Sequence, residues 1–138
     1  MNLEQIKAML ERSPNIYTAL GMELLPMVSE NVFKLKIKVD ERTKQPYGFL
    51  SGGASLALAE TLAGIGSAVL CPDALCVGVN ISGSHLKSVP EGEEVIATAE
   101  LLHKGNALHQ WLVSLRNSED ELVSTVQVTN YVKKDDLR

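Results

Sequence analysis

Cysteine is scarce. The chain of 138 residues has two, Cys71 and Cys76, separated by four residues, with no second cysteine pair and no histidine pair nearby. Two thiols make no secreted-type disulfide framework and their spacing is a poor zinc motif, so no metal is expected. Both are read as buried free thiols of a cytoplasmic protein. Basic charge is also short: 13 Lys and Arg face 17 Asp and Glu, a net charge of -4. That balance argues against a nucleic-acid partner, because no basic stripe offsets phosphate repulsion. Lys34, Lys36 and Lys38 form a row, read as the solvated face of a strand. The opening residues lack a basic head followed by an apolar core, so no signal peptide is expected. The longest apolar stretch, residues 54–70, is broken by Glu60 and rich in small residues, which makes it a poor membrane span. Repeats and low-complexity segments are absent.

The pattern that remains is that of one domain over residues 1–138, with an ordinary 45% hydrophobic and 22% charged content. Leu3, Ile6, Met9 and Leu10 recur at helical spacing, and Ser13-Pro14-Asn15 stops that helix. Residues 19–28 read as a short strand. Residues 31–40 read as a clearer one, with Val32, Leu35, Ile37 and Val39 against the three lysines. Residues 40–50 read as loop. A helix of roughly five turns follows from Gly52, apolar all the way round and so expected to be wrapped. Four strands are expected near 75–86, 94–103, 108–117 and 121–132, and their short connections favour antiparallel neighbours. The fold class is α+β, a single antiparallel sheet curled around an apolar helix.

Glu60 is the one carboxylate in the small-residue run. A buried unpaired charge is costly, so its presence there points to a use. Leu56, Ala57, Glu60, Ala63, Gly64 and Ser67 are expected on or near one helical face, leaving a groove beside the acid. Gly52-Gly53 opens the same helix, where free N–H groups suit a developing negative charge. An acid and an oxyanion site on one helix read as acyl transfer. They lie eight residues apart, about 12 Å along a helix. If both act on one carbonyl, two antiparallel helices of a symmetric dimer must supply one each.

The stretch from Val39 to Glu60, with Gln45, Gly48, Gly52 and Gly53, resembles the hot-dog-fold acyl-CoA thioesterases. The branch is that of the phenylacetate-pathway, 4-hydroxybenzoyl-CoA and 1,4-dihydroxy-2-naphthoyl-CoA thioesterases. Residues 80–88 and His103-Lys104-Gly105 extend the likeness over most of the chain. The resemblance implies that Glu60 is nucleophile or general base, that the Gly52 N–H polarises the thioester carbonyl, and that Gln45 holds the acyl group or the water. Gly53 and Gly64 would border the substrate, His85 and Lys87 would lie near the nucleotide and phosphates of coenzyme A, and Gly105 and Asn106 would border the same pocket. The partners implied are an acyl-CoA, with an aromatic acyl group the plausible choice, and other copies of the chain as a dimer or dimer of dimers. No cofactor is called for.

Two departures stand out. Ser51 occupies the place where the family usually has His, a donor to the thioester oxygen. It stays a candidate catalytic residue, since its hydroxyl can donate one bond, but it reaches less far and cannot become a cation. Gly64 stands where some members carry Ser or Thr to position water, and Ser67 lies too far along to replace it. Ser51 as a nucleophile is disfavoured, since no Gly-x-Ser-x-Gly elbow is present and no His spacing ties a base to it. His103 and His109 read as ordinary strand-end residues. The alternatives to a hydrolase are an acyl-CoA sensor weakened by Ser51, and a hot-dog hydratase, which would want the missing His.

Overall fold

In the computed structural model, which describes residues 1–134, two short helices precede a six-stranded antiparallel sheet and one long helix. Helix α1 (Leu3–Arg12) opens on a capping box between Asn2 and Gln5, and buries Ile6. The stop at Ser13-Pro14-Asn15 holds, but Asn15 caps a second helix, α2 (Ile16–Ala19). The strand expected at 19–28 shrinks to β1 (Glu23–Leu24), because α2 takes up its start. Strand β2 (Val32–Lys38) alternates as expected, with Phe33, Leu35 and Ile37 inward.

Helix α3 (Gly52–Leu70) lies along the sheet formed with β3 (Ala74–His85), β4 (Glu94–Lys104), β5 (Leu108–Asn117) and β6 (Leu122–Lys134). The strand order is β1-β2-β4-β5-β6-β3. The short connection after β3 therefore does not make a hairpin. Residues 86–93 instead cross the end of the sheet, from the β3 edge to the β2 side. Leu50 N–H donates to the Val89 carbonyl on the way, at 2.9 Å, which ties the crossing to the loop before α3. That crossing places β3 residues beside the start of α3. Among the described residues only β6 bonds to strand β3, which leaves its other edge unpaired.

The sheet curls around the helix as expected, but closes over only part of its circumference. Leu58, Ala59, Leu62 and Ala63 are fully buried against the sheet, while Gly53 and Glu60 are exposed and Ala57, Thr61, Gly64 and Ala68 half-buried on the stripe that the sheet leaves open. Ala63 and Ser67 belong to the buried face, so the single face expected from Leu56 to Ser67 splits in two. Truncating Leu58 or Leu62 to Ala would cost about 2–5 kcal/mol.

Ser67 fastens the helix to the sheet. Its Oγ accepts from Trp111 Nε1–H at 2.9 Å and from Asn130 Nδ2–H at 3.0 Å. With both lone pairs used, its proton goes to His109 Nδ1, 2.8 Å away. His109 is thus neutral and carries its proton on Nε2, 3.7 Å from Cys71 Sγ. His103 and His109 do stand at strand ends flanking the β4–β5 turn, but His109 has no exposed surface, and burial holds its pKa below the usual histidine range. Cys71 and Cys76 are free, as expected, but half-buried rather than buried.

Candidate active site

Ser51 starts α3. Its Oγ accepts from Gly53 N–H at 3.2 Å and its own N–H donates to the Thr43 carbonyl at 2.8 Å, so it is the helix N-cap. The cap takes the Gly53 N–H. Among the described residues the Gly52 N–H has no hydrogen-bond partner, and Gly52 lines a cavity of about 340 Å³. Gln45, Phe49, Ser55, His85 and Lys87 share that cavity; Ser51 does not line it. The topology makes the chamber: loop 45–50 forms one wall and the crossing segment after β3 forms the other.

His85 ends β3 and pairs with Ser124 on β6. Its Nδ1 is 2.8 Å from Ser124 Oγ. The other side of the ring lies against Gly52, where an added Cβ would meet Nε2 at 2.8 Å and Cδ2 at 2.9 Å. Only a residue without a side chain leaves room there for the imidazole. Gln45 Oε1 accepts from the backbone N–H of Tyr47 and, at 3.3 Å, of Phe49. Lys87 Nζ lies 3.6 Å from Glu121 Oε2, both half-exposed. The Asn117 amide first, and the Lys87 ammonium after it, hold the Glu121 carboxyl below its usual range. Exposed pairs of this kind are weak, so Lys87 can turn toward a phosphate.

Glu60 lies elsewhere. It is exposed, so the expectation of a buried charge is corrected: the apolar helix is covered on one side only. Its carboxylate faces a separate groove of about 550 Å³, shared with Ala57, Thr61, Gly64, Cys76 and Gly78. No added Cβ on Gly64 would touch anything within 4 Å, so the groove is open beside the acid. Thr61 went unnoticed in the sequence; it is the hydroxyl in this groove, and its place directly after Glu60 matches no helical repeat. Ser55 and Ser124 were missed too, since each reaches the cavity only through tertiary packing.

Within one chain, then, Gly52, Gln45, His85 and Lys87 come together, and Glu60 with Gly64 stand apart from them. Gly53 is exposed at the helix start. Gly105 and Asn106 line neither opening. They sit in the β4–β5 turn, beside the His109 end of the sheet, where Gly105 N–H donates to the Leu108 carbonyl at 2.9 Å. Among the described residues no cluster of three metal-ligating side chains occurs.

A curled antiparallel sheet on one long helix is the hot-dog arrangement. The profile of the thioesterase superfamily matches residues 47–124, and the chain belongs to that family of thioester hydrolases. It is 34% identical to the 1,4-dihydroxy-2-naphthoyl-CoA hydrolase of Listeria monocytogenes over 83% of this chain and 93% of that one. The crystal structure of a Haemophilus influenzae thioesterase superposes with a TM-score of 0.88 at 30% identity, covering 97% of this chain and 92% of that one. Two mutant structures of a Staphylococcus aureus relative, both 29% identical, match with TM-scores of 0.80 and 0.81. They cover 86% and 88% of this chain, and 98% and 100% of that one. One replaces a Gln by Ala and the other a Glu by Ala, at positions fifteen residues apart.

Proposed function

We propose that this protein hydrolyses an acyl-CoA thioester, with an aromatic acyl group, to the free acid and coenzyme A. Glu60 of one copy attacks the carbonyl or activates the water that does. The Gly52 N–H of another copy stabilises the oxyanion, while Gln45 and Lys87 hold the substrate. The carrying observation is that Gly52, its N–H without a partner among the described residues, lines a cavity that Glu60 of the same chain does not. Two copies packed along the uncovered stripe of α3, beside the unpaired edge of β3, would bring the halves together. The Gln–Glu spacing altered in the Staphylococcus aureus relative is that of Gln45 and Glu60 here, which supports both assignments. The Listeria relative's substrate supports the aromatic choice.

The test is a panel of aromatic and aliphatic acyl-CoA thioesters with a free-thiol readout. Glu60→Gln should abolish release with the fold intact. Glu60→Gln and Gln45→Ala chains, each nearly inactive alone, should regain about a quarter of wild-type turnover when unfolded and refolded together, because half the dimers then hold one complete site. No recovery would sink the shared site. A second reading, an acyl-CoA sensor with little turnover, is favoured by Ser51 being committed to the helix cap. Tight binding without thiol release would establish it.

A further inference from the structure

We infer that His85 supplies the imidazole donor that Ser51 does not, and that its Nε2–H joins the Gly52 N–H on the thioester oxygen. This rests on the hydrolase reading above.

Position comes first. The Nε2–Cδ2 edge of His85 occupies the space where a Gly52 Cβ would stand, so the ring lies against the glycine whose N–H is free, and both residues line one cavity. Ser51, the residue at the expected motif position, lies outside that cavity with its oxygen taken by the Gly53 N–H.

The proton inventory comes second. Ser124 is fully buried, and among the described residues its hydroxyl meets one hydrogen-bond partner, His85 Nδ1. A buried hydroxyl proton left without an acceptor is costly, so Ser124 donates to Nδ1. Neutral His85 then carries its own proton on Nε2, the nitrogen beside Gly52. The arrangement yields a neutral N–H donor oriented by a second residue, which is what a developing oxyanion needs. Nucleotide anchoring, the role the resemblance implies for this segment, is left to Lys87.

The experiment uses two substrates: an acyl-CoA and the same acyl group on N-acetylcysteamine, which lacks the nucleotide and phosphates. For both, His85→Ala should lower kcat by on the order of a hundredfold while KM changes little. His85→Gln, which keeps a neutral N–H near the Nε2 position, should retain more activity than His85→Ala. Ser51→His, added to His85→Ala, should restore at least about tenfold by returning an imidazole to the helix start. Circular dichroism checks that each variant is folded. A loss confined to KM, or seen with acyl-CoA alone, would make His85 a nucleotide anchor and overturn the inference. Unchanged kcat in His85→Ala beside an active wild type overturns it while leaving the hydrolase reading intact. Wild type inactive toward the whole panel would sink both.

Discussion

The carboxylate of Glu60 lies directly over the Cα of Gly78: a methyl group there would stand 2.7 Å from Oε2 and 3.2 Å from Cδ. Strand β3 shifts register between Gly78 and Asn80, so the strand bends where the acid rests on it. Gly78→Ala should therefore push the carboxylate aside. The side chain's end is flexible, so stability should fall by less than about 1 kcal/mol, yet kcat should drop roughly ten- to a hundredfold from misplacement. Comparing urea midpoints with steady-state rates checks both halves.

Ser51→Ala removes a helix cap. The loss should be about 1 kcal/mol of stability, read as a lower melting temperature. Because Ser51 does not line the cavity, kcat should fall less than about threefold. A loss near a hundredfold would mean that the hydroxyl reaches the thioester after all.

Ser67→Ala should be severe. It strips the partner from Trp111 Nε1–H, from one Asn130 N–H and from His109 Nδ1, all without exposed surface. About 3 kcal/mol of stability should go, measured by urea denaturation. Ser67→Thr, which keeps the hydroxyl, tests whether the bond or the bulk matters.

Acid should weaken the fold through His109. Its folded-state pKa is lowered, by burial first and then by the positive charge of Lys104. The unfolded chain takes up a proton near 6.5 that the folded one refuses. Its contribution is therefore whole above that pH and is lost as pH falls below it. Urea midpoints measured between pH 7.5 and 5 should decline, and His109→Gln should flatten the decline.

Much of this was legible in the residues. Seven elements, α1, β2, α3 and β3 to β6, follow from apolar patterning, because period and turn residues are local properties. Glu60 stood out too, as the one charge in its run, and the structure sets it in a groove beside Gly64. What the pattern could not carry was which side of a small-residue helix the sheet covers, since Ala and Gly fit either. Nor could it carry the crossing after β3, whose length suits a hairpin equally well. The placement of His85 on Gly52 depends on that crossing and was hidden with it. His109 had a signal that went unread: it alternates in step with Trp111, Val113 and Leu115, all fully buried.

The amide of Gln45 has a polarity. Its oxygen is held by two main-chain N–H groups of its own loop, so only the NH2 end is left for a guest. A side chain fixed this way can greet an oxygen atom but can accept no proton from one. In the proposed reaction it would favour a carbonyl over an ammonium group, and a Glu at this position would meet those two main-chain groups equally well while turning the entrance hostile to the same carbonyl.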